Sequence, residues 1–500
     1  MQQNEEKPQN PEELTDQEQS SNQVALDNIR YFFEQVICKI PHGSENCEGL
    51  SDWIVKFAKE RNLKVSQDEK KNVVVIAPAT QGCENAKPVI LQAHLDMVAV
   101  SKNDQFDMKT HTIETIVEGD WMKANETSLG ADDGMGVAMM LYILDDDSIK
   151  HPELVCIFTV DEEIGCLGAE SIDLSSVPPC PNAINLDWED ERICKGCAGA
   201  QKVTAIKTLS FEDFTGDVIK VSISGLTGGH SALAINDGGV NAIKMVADAL
   251  YSVSESPFRL VAINGGPKMN AIPTDCTVEL CVDHEHTEEL IESLDDLLLT
   301  ACLSARTTDP NMAGCAELLA ENTTRRCISE EETKKVIEYI RALPTGVISM
   351  DPTLDDTIET SLNLGVITTE KDEITIEFLI RSSKDNETQR ITTELGEISA
   401  KYGAATRVEF TLKAWELEST PLLDLCVKSH EEITGQKPEF VVTHGGLECG
   451  MLGEKLPGTQ WISMGPTIFD PHTVNERVSI DSIIQKFLVL CHMLERLASE

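Results

Sequence analysis

Val89-Ile90-Leu91-Gln92-Ala93-His94-Leu95-Asp96 is an apolar run that ends in two groups able to hold a proton or a cation. On a strand, residues two apart project to the same side, so His94 and Asp96 point into one site. There the carboxylate is placed to fix the tautomer of the imidazole. Taken alone, a His–Asp pair at this spacing is more often a satisfied surface contact. Its surroundings decide how it is read. The runs Asn72–Ala77, Pro88–Val100, Leu154–Val160 and Ala183–Leu186 are short and apolar, and a long apolar helix follows Gly134 between the second and third. Buried strands that alternate with helices predict an α/β core with a mixed, largely parallel sheet and helices on both faces.

On the N-terminal side, residues 1–22 hold almost nothing apolar and are expected to form a disordered tail. From Val24, the spacing of Leu26, Ile29, Phe32, Phe33, Val36 and Ile37 predicts an amphipathic helix that stops before Pro41, and a second helix follows at Gly49–Arg61. Near residue 205 the texture changes. Asp217–Ser224 and Thr277–Asp283 alternate as strands around a helix at Gly239–Tyr251, and a similar pattern recurs in Glu373–Arg381, Asn386–Tyr402 and Arg407–Glu416. The expected organisation is therefore a core domain at 23–204 and 417–500, interrupted by an inserted α+β domain with an antiparallel sheet at 205–416.

Composition narrows the partners. The 500 residues include 85 acidic and 41 basic side chains, a formal net of −44. Such a surface repels phosphate backbones and anionic lipid, so neither nucleic acid nor a membrane is an expected partner. With a polar, Gln/Glu/Asn-rich start no leader segment is expected, and no run approaches the roughly 18 apolar residues that span a bilayer. The 16 cysteines show no framework of paired spacings and read as reduced thiols of a cytoplasmic protein. Cys194 and Cys197 form a lone Cys-x-x-Cys without the second pair that a zinc knuckle needs.

Four further features bear on chemistry. Gly130-Ala131-Asp132-Asp133-Gly134-Met135-Gly136 is an acidic, glycine-flanked turn into the helix Val137–Leu144, where an aspartate also serves as an ordinary helix cap. Asp161-Glu162-Glu163-Ile164-Gly165 follows a strand directly, and three carboxylates there need cations or solvent. Asn185-Leu186-Asp187 again places an acid at a strand end, and His472 closes Gly465-Pro466-Thr467-Ile468-Phe469-Asp470-Pro471-His472. Each has a plain explanation singly. Together they put His, Asp, Glu and Asp at successive strand ends, where open α/β sheets bind ligands, and a late His completes an oxygen and nitrogen donor set. That set suits zinc, manganese or cobalt. Two such ions about 3.5–4 Å apart and sharing a carboxylate activate water and polarise a carbonyl, with a neighbouring carboxylate as general base. Residue types alone do not separate Glu162 from Glu163, or Asp132 from Asp133.

With these motifs the chain resembles the aminoacyl-histidine dipeptidases, carnosine-splitting members of the two-metal zinc exopeptidase superfamily. The resemblance runs from about residue 27 to residue 495, through Gln92–Val98, Gly119–Gly136, Asp161–Gly165, Gly196–Gly199, Gly228–Ser231, Asn270–Pro273, Gly446–Cys449 and Gly465–Val478. It implies that Asp132 bridges two metals, that His94 and Asp187 hold one and Glu163 and His472 the other. It further implies that Glu162 is the general base and that Asp96 orients His94. His230, Asn270, Arg381 and Glu448 are implied substrate-binding residues, and the inserted domain is implied to be a lid through which a homodimer forms. The implied activity is hydrolysis of Xaa-His and other dipeptides by metal-activated water, with aminotripeptidase or aminoacylase chemistry as the alternatives. All seven core positions carry competent residues, which argues against a non-catalytic binding protein on the same fold. Two positions depart from the family pattern: Met269 stands where an arginine is common, and Asp133 where an asparagine is common.

Overall fold

The computed structural model of the chain describes residues 16–103, 106–107, 109–416 and 419–499. These divide into two units, one within Met1–Gly196, Leu417–Val441 and Leu447–Glu500, the other within Cys197–Glu416 and Val442–Gly446. The first change of unit thus falls at residue 197, earlier than the texture of the sequence suggests. The reason is the strand Gly199–Thr208, which pairs with Glu373–Ser382 and Ala405–Leu412 of the second unit.

The first unit is built on an eight-stranded mixed sheet. Its centre is four neighbouring parallel strands in the order Leu154–Thr159, Val89–His94, Asn182–Asn185, Gln460–Ser463. Outside that centre the pairing is antiparallel: Val73–Ala77 runs against Leu154–Thr159, and Lys64–Gln67 against Val73–Ala77. Val89–His94 and Leu154–Thr159 are buried along their whole length, and each gives way to loop at or just before its first acid or imidazole, His94 and Asp161 respectively. Val89–His94 therefore ends at His94, although the apolar run continues to Val100.

The helix Ala131–Asp145 is buried on all sides, as expected of a sequence with no polar face over Val137–Leu144. It opens on Gly130 in the left-handed region, and Asp132 and Asp133 depart from helical geometry, with a cis peptide between them. The helix Asp16–Tyr31 is longer than expected. Residues 16–22, read as disordered tail, are helical, whereas residues 1–15 of that tail lie outside the described residues. Gln19, Ser20 and Ser21 are exposed, so this turn extends on backbone hydrogen bonds and the helix propensity of its Gln and Glu rather than on an apolar face. The chain continues through a π-helical turn, Phe32–Val36, and a 3₁₀ turn, Ile37–Lys39, which keep Phe32, Phe33, Val36 and Ile37 buried up to Pro41.

The second unit contains a nine-stranded sheet whose registered pairs are all antiparallel. Its apolar core draws on the helices Ala242–Ser252, Thr287–Ala305, Glu330–Ala342 and Asp385–Lys401. Among the described residues, no helix is long and apolar enough to cross a membrane.

Phe158 has no exposed surface in the central strand Leu154–Thr159. Phe158→Ala is expected to destabilise the first unit by about 3–5 kcal/mol through lost burial and a residual cavity, read as a lower midpoint in urea unfolding.

Candidate metal centre

The parallel alignment brings residues nearly four hundred positions apart to one edge of the sheet. His94 ends its strand, Asp161–Glu163 follow the adjacent strand, Asp187 lies two residues beyond the third, and His472 lies beyond the fourth, just after the short strand Ile468–Phe469. Two donor sets result, His94 with Asp132 and Asp187, and Asp132 with Glu163 and His472, the donor atoms of each set lying within 4.8 Å of one another. Asp132 belongs to both. Its Oδ1 is 3.1 Å from His94 Nε2, and its Oδ2 is 2.9 Å from His472 Nε2. Asp187 Oδ1 is 3.4 Å from the same His94 nitrogen, and Glu163 Oε2 is 3.0 Å from the same His472 nitrogen.

The neighbouring acids of each pair are placed differently. Asp133 is buried behind the strand end, where its Oδ2 accepts the His94 backbone N–H at 3.2 Å. Burial and the charge of Asp187 hold its carboxyl well above the usual range. Gly136 makes room for it, since a Cβ there would lie 2.3 Å from Asp133 Oδ1. Glu162 Oε1 accepts the Cys166 thiol at 3.3 Å, and burial raises Glu162 well above the ordinary glutamate range.

Asp96 does more than face the imidazole. Its carboxylate accepts the backbone N–H groups of Glu162 at 2.9 Å and Glu163 at 3.2 Å, and the Ser44 hydroxyl at 2.8 Å. His94 Nδ1 lies 2.9 Å from the Asp96 backbone carbonyl and 3.5 Å from its carboxylate. The carbonyl therefore sets the tautomer that leaves Nε2 as a donor to a cation, while the carboxylate fixes the turn carrying Glu162 and Glu163.

Charge in this cluster is unbalanced. Burial opposes ionisation of Asp132, yet hydrogen bonds from His472 and His94 keep it well below the usual carboxylate range. Burial pushes Asp187 up to about 8 and Glu189 up to about 9, and raises Glu163. Burial also opposes the imidazolium of His472, but hydrogen bonds to Asp132 and Glu163 lift it to about 11. Four acids, Asp132, Asp187, Glu163 and Glu189, meet the two imidazoles of His94 and His472, so the protein's own groups reach balance only by taking up protons. Glu163 Oε1 is buried with no hydrogen-bond partner among the described residues. A donor set of two imidazole nitrogens and hard carboxylate oxygens, one carboxylate shared, fits a pair of divalent cations.

Glu189 carried no signal in the sequence beyond the acidic run Asp187–Glu191, yet after burial it is the charge of Asp132, and then of Asp187, that raises its carboxyl. Glu448 is fully buried in the first unit. Its Oε2 accepts Gln92 Nε2 at 2.6 Å and Thr159 Oγ1 at 2.5 Å, while Oε1 has no partner among the described residues. Gln92 in turn accepts Asn185 Nδ2 at 2.5 Å, and Asn185 accepts the Ser463 hydroxyl. This polar row crosses the central strands and ends at Glu448, which burial raises to about 7. Lys486 anchors the loop beyond Asp187 by donating to the Glu191 carbonyl at 2.7 Å.

His230, Asn270 and Arg381 belong to the second unit. His230 is exposed and bridges to Ala271, and Ser231 N–H donates to the Asn270 carbonyl at 2.9 Å, so His230 and Asn270 share one loop cluster. Asn363 Nδ2 pins that cluster through the Met269 and Ala271 carbonyls, each at 2.8 Å. Arg381 is buried on the strand Glu373–Ser382 beside His444, whose imidazole lies 2.7 Å from the Ser361 hydroxyl. Burial first, then the Arg381 charge, depress His444 to about 4.

The model of peptidase family M20/M25/M40 matches residues 90–496, which include both donor sets. The chain belongs to that family. This M20 peptidase is 32% identical to the cytosol non-specific dipeptidase of Escherichia coli (strain K12) over 473 residues, 93% of this chain and 96% of that one. The aminoacylhistidine dipeptidase of Vibrio alginolyticus has the same fold at a TM-score of 0.80 and 31% identity, covering 94% of this chain and 96% of its own. The aminopeptidase PepT of Bacillus cereus shares the fold at a TM-score of 0.55 and 14% identity, covering 95% and 99%.

Two outcomes check the electrostatics and packing just described. A Cβ on Gly465 would lie 2.1 Å from the Trp188 carbonyl oxygen and 2.7 Å from that of Leu186, on either side of Asp187. Gly465→Ala is expected to shift that loop and lower bound divalent metal per subunit, measured by elemental analysis at unchanged helical content. For His444, the unfolded imidazole binds its proton near pH 6.5 and the folded one near 4. Its contribution to stability is therefore complete above about pH 6.5 and lost as pH falls toward 4, by about 3 kcal/mol. His444→Gln should flatten that part of the stability profile relative to wild type.

Proposed function

We propose that this M20 peptidase is a cytoplasmic two-metal dipeptidase that hydrolyses Xaa-His and other dipeptides. The observation that carries this reading is the division of Asp132, with one oxygen facing His94 and Asp187 and the other facing Glu163 and His472. His94, Asp132 and Asp187 would hold one divalent ion, and Asp132, Glu163 and His472 the other, zinc in first place with manganese or cobalt as alternatives. When bound, the ions supply Lewis acidity and lower the pKa of water. Glu162 would serve as general base and then general acid, taking a proton from the attacking water and giving it to the leaving amine, a role suited to a buried carboxyl with raised proton affinity. Asp96 holds the turn from which Glu162 acts.

His230, Asn270, Arg381 and Glu448 would bind the substrate, Arg381 through the C-terminal carboxylate and Glu448 near the amino end. Met269 in place of an arginine removes one cation from the Asn270 loop, which favours a broad dipeptide range over strict selection of a C-terminal histidine. The same reading includes a homodimer through the second unit, whose helix Thr287–Ala305 exposes Leu299 and Leu303 one turn apart.

Elemental analysis should find about two divalent ions per subunit, and a panel of dipeptides that includes carnosine should be hydrolysed. Protein that holds no metal and cleaves no dipeptide would sink the proposal, and preference for tripeptides would reassign it to the aminotripeptidases. Glu162→Gln should lower kcat by about 10²–10⁴-fold with metal content unchanged; retained turnover would remove Glu162 from the base role.

A further inference from the structure

Glu476 lies four residues beyond His472 and is 2% exposed. Its carboxylate accepts the backbone N–H groups of four successive residues. Oε2 takes those of Leu129 at 2.7 Å and Gly130 at 2.9 Å, and Oε1 those of Ala131 at 2.8 Å and Asp132 at 3.4 Å. These amides open the helix Ala131–Asp145, where no helical carbonyl is available to them. Gly130, at φ 70°, turns the chain so that all four converge, and a Cβ there would lie 2.8 Å from Met97 Sδ.

The other end of this arrangement is equally tied down. Glu476 N–H donates to the Thr473 carbonyl at 3.2 Å, closing a turn after His472. The next residues, Arg477–Ser479, pair with Trp121–Lys123, from which the chain runs on to Leu129. The segments that carry His472 and Asp132 are thus closed into one frame, by a strand ladder on one side and by the Glu476 carboxylate on the other.

We propose that Glu476 is a positioning residue of the metal centre: its carboxylate fixes the backbone from which Asp132 reaches both donor sets and locks it to the loop bearing His472. This rests on the two-metal reading above. A helix cap needed only for stability is met by one serine or aspartate oxygen. Here both oxygens are used, from a loop more than three hundred residues away, and beside an acid whose charge repels them. The amides and the helix end compensate that repulsion.

Cobalt(II) titration of the metal-depleted protein separates positioning from capping. Glu476→Gln keeps the shape but turns an NH₂ toward amide donors. It is expected to weaken both Co²⁺ sites by about 10–100-fold and to alter the visible absorption of the bound ion, with Glu476→Asp recovering part of the affinity. A folded Glu476→Gln variant with wild-type affinity and spectrum overturns the proposal, as does one whose Tm falls while Co²⁺ binding is unchanged. If neither variant folds, amide hydrogen exchange of the wild type decides. Residues 129–132 should exchange as slowly as the central strands, and exchange at open-loop rates overturns the clamp. Wild-type protein that binds no Co²⁺ would instead overturn the metal reading itself, a result distinct from either.

Discussion

A buried carboxylate surrounded by other carboxylates keeps its charge only if positive charge reaches it from more than one side. Asp132 is in that position, with an imidazole at each oxygen and Asp187, Glu163 and Glu189 around it. The rest of the first unit is arranged to make this tolerable. Four parallel strands end at one edge, so His94 and the loops carrying Glu163 and Asp187 start from buried backbone. Two carboxylates that are themselves fixed by amide donors, Asp96 and Glu476, hold the turns on either side. The acids of the site therefore serve two purposes. Some face the place where cations fit, and others act on the backbone of the first group.

Much of this was legible in the sequence because the α/β core announces itself by short apolar runs between helices. The segments around Val89, Leu154 and Ala183 are strands close to where the pattern puts them. The second unit was harder. Ala313–Ile328, its longest strand, runs through Glu321-Asn322-Thr323-Thr324-Arg325-Arg326 at the edge of the sheet and is largely exposed, so no alternation marks it. Gly199–Thr208, conversely, is too evenly buried to show a change of unit at its start.

The site divides along the same line. Strand ends draw attention to His94, Glu162, Glu163 and Asp187, since a charged residue after an apolar run is visible in one dimension. The separation of Asp132 from Asp133, and of Glu163 from Glu162, depends on which way adjacent side chains turn, and residue types do not encode that. Glu476 and Glu189 escape a sequence reading because their partners are remote in sequence, the amides of Leu129–Asp132 for one and the carboxylate of Asp132 for the other. The pairing of Asp96 with backbone N–H groups rather than only with His94 is of the same kind.

The polar row Ser463–Asn185–Gln92–Glu448 donates in one direction: Ser463 gives to Asn185, Asn185 to Gln92 and Gln92 to Glu448, so the two middle members both give and accept. Such a chain has a polarity, and a middle member can be exchanged only for a group that both gives and receives in the same sense. Drift at one of these positions is therefore bound to drift at its neighbours. Through divergence the four should be inherited together or replaced together, as a single character spread over strands far apart in the gene.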